Sequence, residues 1–225
     1  MIFSVTTARS SHIALIDSGI GGFSVLAEIE AKMPEVTVSY FMDNLYLPYG
    51  ELSQADLLNR LERIVEFLLG LSAPDIIVIA CNTASTQSLD FLRQRFKATF
   101  VGDFVGVVPA VKPAAIVSSS ARIGVLATPA TVKGDYMDRL IHDFALHCTV
   151  QRVGSSELVH LAEMLFWGQA GRQEGQQQTR GVAEVQRIVA EFEAVDTIVL
   201  GCTHFPLIKD IIQQALDDEV LLVDS

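Results

Sequence analysis

The sequence predicts an α/β protein made of two similar, doubly wound, mainly parallel-sheet domains related by pseudo-twofold symmetry, with the active site in the cleft between them. Two observations carry this prediction. Short β-branched apolar runs alternate with amphipathic helical stretches along most of the chain, the pattern of βαβ units whose sheets are covered by helices on both faces. A run opened by Asp75 and closed by Cys81 is echoed by a run opened by Asp196 and closed by Cys202, each followed by small polar residues. A duplicated strand with a duplicated thiol points to duplicated half-domains, and open α/β sheets place their sites at the carboxyl ends of such strands.

Each element follows from local pattern. Residues 13–17 read as a strand, and Gly19, Gly21 and Gly22 let it turn sharply into a helix over 23–33. A second strand spans 36–42. The loop 43–50 leads to Ser53, a helix cap with Asp56 three residues on, after which Leu57, Leu58, Leu61, Ile64, Val65 and Leu68 share one face. Strand 75–80 delivers Cys81, and a helix over 83–96 follows. The second round takes strands at 104–108 and 122–127, a helix over 131–147, a strand at 149–153, helices near 156–166 and 179–194, and the strand that ends at Cys202. A helix over 206–216 and a strand at 220–223 come last. The stretch 167–180, rich in Gln and Gly, reads as an exposed loop without chemistry. The expected division is 1–103 plus 208–225 for a first domain carrying Asp17 and Cys81, and 104–207 for a second carrying Cys202 and His204. It assumes that the helix after Cys202 leads back to the first sheet.

Composition bounds the function. The chain has 225 residues, half of them hydrophobic, enough for a sizeable core in one or two domains. Its apolar runs are shorter than the ~20 residues that span a bilayer, and residues 1–12 lack the apolar core of a signal peptide. Three cysteines without C-x-x-C spacing suit a reducing cytoplasm. A net charge of −11 disfavours nucleic acid and anionic membrane as partners, so an anionic substrate must be held by local donors.

The glycine turn at 17–22 follows a strand and opens a helix, and Asp43 ends the next strand at the distance of a ribose partner. The third glycine position is Ser24, however, and an ionised Asp17 would repel a pyrophosphate. The glycines therefore read as a sharp turn that leaves Asp17 and Ser18 free to face a cleft. Cys148 reads as an inert small hydrophobe. Cys81 and Cys202 differ, because each lies where a strand meets a helix amino terminus, whose free N–H groups and dipole lower a thiol pKa and can hold a carboxylate. Cys81, Cys202 and His204 are also a zinc-ligand set, but Cys202 and His204 lie too close in sequence for the usual spacings, and no metal is expected.

Five motifs in order carry a resemblance: Asp17-Ser-Gly-Ile-Gly-Gly, Pro48-Tyr-Gly, Cys81-Asn-Thr-Ala-Ser, Ala127-Thr-Pro-Ala-Thr-Val and Gly201-Cys-Thr-His-Phe-Pro-Leu. From residue 13 onward the chain resembles the glutamate racemases, cofactor-independent enzymes of the aspartate/glutamate racemase superfamily. The resemblance implies that Cys81 and Cys202 are the catalytic thiols, the first taking the Cα proton of D-glutamate and the second that of L-glutamate. It further implies that Asp17 assists Cys81, that His204 assists Cys202, and that Asp17, Ser18, Tyr49, Gly50, Asn82, Thr83, Thr203 and His204 bind substrate. Aspartate racemases tend to carry His where this chain has Ser85 and Glu where it has His204, which favours glutamate. The implied role is supply of D-glutamate for peptidoglycan without a cofactor, in a protein able to form a homodimer. A racemase of another acidic amino acid, or a non-catalytic relative that binds DNA gyrase, are the alternatives.

Overall fold

The computed structural model describes residues 11–168 and 174–225, with 174–180 described by backbone alone. The first half runs β1 (His12–Asp17), α1 (Gly22–Lys32), β2 (Thr37–Met42), α2 (Gln54–Leu71), β3 (Ile76–Ile79), α3 (Asn82–Phe96) and β4 (Asp103–Gly106). The second runs α4 (Val111–Val117), β5 (Arg122–Ala127), α5 (Pro129–Lys133), α6 (Asp135–Phe144), β6 (Thr149–Gly154), α7 (Glu157–Gly168), α8 (Glu174–Val189), β7 (Thr197–Leu200), α9 (Lys209–Gln214) and β8 (Leu221–Asp224).

Two four-stranded sheets result, in the orders β2-β1-β3-β4 and β6-β5-β7-β8, with every pairing parallel. The second order repeats the first, which is the duplication read from the two thiol strands. Strand pleating splits each sheet between two cores. In the first sheet Ile13, Leu15, Val78 and Ala80 face α1, while Ala14, Ile16, Ile77 and Ile79 face Leu57, Leu61, Ile64, Val65 and Leu68 of α2 and the apolar side of α3. In the second sheet Leu126, Ile198 and Leu200 join residues of α7, α8 and α9, whereas Ile123, Val125, Ala127 and Val199 join α4 and α6. Burial on both faces explains why these strands read as continuous apolar runs.

The topology corrects the expected domain division. β4 lies in the first sheet, with Ile77 opposite Phe104, so the second domain does not begin at 104. β8 pairs with β7, with Ile198 opposite Leu222, so residues 208–225 lie with the second sheet. The physical reason is the same in both halves. A strand followed by one helix crosses over most readily to the adjacent parallel position, and a return to the distant first sheet would leave the edge of β7 unpaired.

Several element boundaries also differ. The helix expected over 131–147 breaks at Gly134 into α5 and α6, α5 being capped by Thr128, whose side chain accepts from Thr131 N. The helix expected over 206–216 is a 3-10 turn, Phe205–Ile208, followed by the short α9. The expected loop 167–180 is largely helical where it is described: Trp167 and Gly168 end α7 and residues 174–180 begin α8, while 169–173 lie outside the described residues. The Ser53 cap is as expected, with Ser53 Oγ accepting from Asp56 N at 3.2 Å.

Candidate active site

In a doubly wound sheet the crevice opens where chain connections leave in opposite directions, here beyond the ends of β1 and β3 and, in the other half, of β5 and β7. Asp17 ends β1, Cys81 follows β3, Thr128 follows β5 and Cys202 follows β7. All four are buried and face the junction between the halves. Fold symmetry therefore brings one thiol to each wall.

Asp17 is fully buried; its Oδ1 accepts from Gly19 N at 3.0 Å and its Oδ2 accepts from the Thr203 hydroxyl at 3.0 Å, a bond across the cleft. Burial raises its pKa against the opposing charge of His204. Cys81 stands at the N-cap of α3, where the N–H groups of Thr83 and Ala84 and the Ser18 hydroxyl act to lower its thiol pKa. Around Cys202 the N–H groups of His204 and Phe205 act in the same sense, the Phe205 N–H donating to the Cys202 carbonyl at 3.0 Å. These donors lower both thiol pKa values, the effect expected of a helix or turn amino terminus, but they do not prevail. Burial and the charge of Asp17 push Cys81 up to about 12. Burial and the charge of Cys81 push Cys202 well above the ordinary thiol value. Each anion opposes the other, so the arrangement favours one thiolate at a time.

His204 shows why the second thiol is not left alone. Its Nδ1 lies 3.9 Å from Cys202 Sγ and its Nε2 lies 2.9 Å from Glu163 Oε1. Glu163, on α7, also accepts from Ile20 N at 2.8 Å through Oε1 and from Trp167 Nε1 at 2.8 Å through Oε2. Burial works against its charge, but the His204, Ile20 and Trp167 donors together hold its pKa below the usual value. An ionised Glu163 holds the Nε2 end of the His204 ring and so turns its Nδ1 toward the thiol.

Glu163 was not singled out from the sequence. Its signal was a lone carboxylate at 163 in an otherwise apolar stretch, Leu161-Ala-Glu-Met-Leu, since a buried charge requires partners. The glycine turn gains a different meaning as well. A Cβ on Gly19 would sit 2.0 Å from Glu163 Oε1, and one on Gly21 would sit 2.5 Å from Thr203 Oγ1 and 2.6 Å from His204 Nδ1. These glycines make room for side chains of the other half, a space that a dinucleotide reading would give to a pyrophosphate.

The remaining sequence candidates divide between side-chain and backbone roles. Thr83 Oγ1 meets Thr128 Oγ1 at 2.8 Å and Thr131 Oγ1 at 3.1 Å, three buried hydroxyls joined across the halves. Thr128 and Thr131 lie in the Ala127-Thr-Pro-Ala-Thr-Val motif yet were not named as site residues, because a cap and a helical threonine look ordinary locally. Asn82 donates from Nδ2 to Ser225 Oγ at 3.2 Å, and its Oδ1 is buried without a hydrogen bond. Tyr49 does not extend into the cleft: its hydroxyl donates to Asp43 Oδ2 at 2.8 Å, and Asp43 is gripped by Arg60 at 2.6 and 2.7 Å. That grip holds the loop so that the backbone of Gly50 packs on Thr128. Cys148 is half-buried against the α4 and α6 core, away from the cleft. Both ring nitrogens of His204 are already engaged, and among the described residues no group of three His, Cys, Asp or Glu side chains is arranged to hold a metal ion.

A family model for Asp/Glu/hydantoin racemases matches residues 24–225. The chain is 44% identical over 218 residues to the glutamate racemase of Shewanella woodyi, covering 96% of this chain and 77% of that protein. It is likewise 44% identical to the glutamate racemase of Vibrio cholerae over 95% of this chain and 76% of that one. The structure superposes on Escherichia coli glutamate racemase in complex with L-glutamate and the activator UDP-MurNAc-Ala with a TM-score of 0.85 at 39% identity, covering 96% of this chain and 78% of that one. The isoform RacE1 of Bacillus anthracis gives 0.78 at 27% identity over 95% and 76%. With its duplicated sheets and its thiols on facing walls, the chain belongs to the Asp/Glu/hydantoin racemase family.

Proposed function

We propose that this protein interconverts L- and D-glutamate by proton transfer at Cα between Cys81 and Cys202, without a cofactor. The observation that carries the proposal is the pair of buried thiols on opposite walls of one cleft, each at the start of a helix or turn and each with its own acid–base neighbour. An amino-acid Cα–H is a very weak acid, and without an electron sink its carbanion must be met by fixed dipoles in a dry site. Cys81 as thiolate takes the Cα proton of D-glutamate on one face while Cys202 as thiol delivers its proton to the other. The product is L-glutamate, with the protonation states exchanged, and the reverse reaction restores them. High thiol pKa values suit this exchange, since a thiolate that is costly to form is a strong base once formed.

Asp17 and Ser18 serve the ammonium group, and Thr83 and Thr203 serve the α-carboxylate. Asn82, with Nδ2 committed to Ser225, offers its free Oδ1 to the ammonium. The Thr83, Thr128 and Thr131 hydroxyls form a receptor for a carboxylate that reaches both halves at once. The names of the relatives support glutamate as the substrate, and a role in supplying D-glutamate for peptidoglycan follows from that reading. Circular dichroism of chelator-dialysed protein with L-glutamate tests it. The signal should decay to zero, and in deuterated water the D-enantiomer formed should carry deuterium while recovered L-glutamate stays largely unlabelled early on. No decay, or recovery of activity only on adding zinc or pyridoxal phosphate, defeats the reading.

A further inference from the structure

Outside the reacting groups, the most constrained feature near the cleft is an aromatic chain that joins the two halves. Tyr40 of β2 donates its hydroxyl to the Gly19 carbonyl and meets Phe23 of α1 edge-on at 5.2 Å. Phe23 stacks on Phe166 of α7 at 5.7 Å, and Phe166 meets Trp167 edge-on at 5.1 Å. Trp167 closes the circuit by donating its indole N–H to Glu163 Oε2, four residues back on the same helix face. Rings at exposed positions normally gain little from such an ordered arrangement, and Trp167 is half exposed. What the arrangement accomplishes is geometric. It turns the indole so that its only donor meets the outer oxygen of the carboxylate whose inner oxygen meets His204.

We infer that Trp167 is a positioning residue for proton transfer at Cys202: its N–H holds Glu163 in the rotamer and charge state that keep the His204 ring aimed at the thiol. The inference rests on the reading that Cys202, His204 and Glu163 act together in racemisation. Oε1 already serves Ile20 N and His204 Nε2, so Oε2 is the one oxygen left to satisfy, and Trp167 satisfies it. The titratable groups that face Glu163 are His204 from the turn after β7, Asp17 from the end of β1 and Tyr40 from β2. Among these, His204 favours the charged carboxylate and Asp17 opposes it. Removing one N–H donor therefore shifts Glu163 toward protonation.

Trp167→Phe keeps the ring contact with Phe166 and deletes only the donor. Its acid limb of kcat should move up by about one pH unit, the size of one hydrogen bond to a charged group. The effect on kcat should be larger for L-glutamate, the direction in which Cys202 is the base. A purely structural Trp167 predicts instead an unshifted pH profile in Trp167→Phe and damage only in Trp167→Ala. A second readout is independent of substrate. Trp167 is the single tryptophan of the chain, so its emission in the wild-type protein should change through the pH range in which Glu163 titrates, and in Glu163→Gln it should not. A wild-type acid limb in Trp167→Phe, or flat emission in the wild-type protein, overturns the inference. Absence of any racemisation by the wild-type protein defeats the functional reading instead, and the emission titration still decides whether Trp167 and Glu163 are coupled.

Discussion

Asp17→Asn separates two roles that the structure allows for one buried carboxylate. The substitution keeps Oδ1 for Gly19 N and presents an amide N–H to Thr203 Oγ1, which can turn to accept it, so both 3.0 Å contacts persist in reversed or neutral form. Exchanging charged for neutral hydrogen bonds costs roughly 1 kcal/mol, partly offset because no charge is then buried, so the fold survives. The local field changes more. The charge of Asp17 is, after burial, the largest influence raising the Cys81 thiol to about 12, so its removal must lower that pKa. If Asp17 is the acid–base partner of Cys81, activity should nevertheless fall about 100- to 10,000-fold, or about 3–5 kcal/mol of transition-state stabilisation.

The enantiomers have equal free energy in water, so kcat/KM must stay equal in the two directions whatever the substitution. Only kcat and KM taken separately can diverge. Asp17→Asn should skew kcat one way and His204→Asn the other, each with a compensating change in KM. Circular dichroism from both pure enantiomers gives these constants, and thiolate absorbance in a Cys148→Ser, Cys202→Ser background gives the Cys81 titration. Equal loss of kcat in both directions would make Asp17 a substrate ligand only. An upward shift of the Cys81 titration in Asp17→Asn would refute the electrostatic argument itself.

Three further outcomes follow from the site and its frame. Cys81→Ser and Cys202→Ser should each abolish racemisation while the protein still melts cooperatively, because a serine hydroxyl is far too weak an acid to serve as a base on its face; residual turnover in both directions in either variant would remove the two-thiol mechanism. Gly50→Ala places a Cβ 2.7 Å from Thr128 Cβ, a β-branched side chain fixed by its bonds to Thr83 and Thr131. The wedge should raise KM by roughly the 5- to 150-fold that 1–3 kcal/mol of overpacking represents, and an unchanged KM would show that the halves do not close on this loop. Asp196 accepts from Ser118 Oγ, Ser119 Oγ and Ser120 N at 2.6 to 2.9 Å, and these donors hold its pKa below the ordinary 3.8. A depressed carboxylate stabilises the fold above its unfolded pKa, so Asp196→Ala should cost about 1–3 kcal/mol in urea unfolding near neutral pH, and the difference from wild type should vanish as pH falls well below 3.8.

The sequence by itself determined the elements whose signals are local. Strands buried on both faces announce themselves as unbroken apolar runs, as at Ile13 to Asp17, and the Ser53 cap and the α2 stripe are written within a few residues of each other. The two thiols were legible because the same strand and the same ending occur twice. What sequence could not fix was which edge the last elements join. β4 and β8 are short, and only the hydrogen-bonding neighbours of β3 and β7 assign them, which is why the expected division at 104 and at 208 failed. The balance of forces on the thiols was likewise tertiary. A helix terminus is visible in sequence, but the burial and the anionic neighbours that outweigh it come from the other half and from Asp17. Glu163 and Trp167 acquire their roles in the same way. Their partners Ile20 and His204 lie far away along the chain, and only the packing of α7 against the glycine turn brings a carboxylate, an imidazole and a thiol into one line.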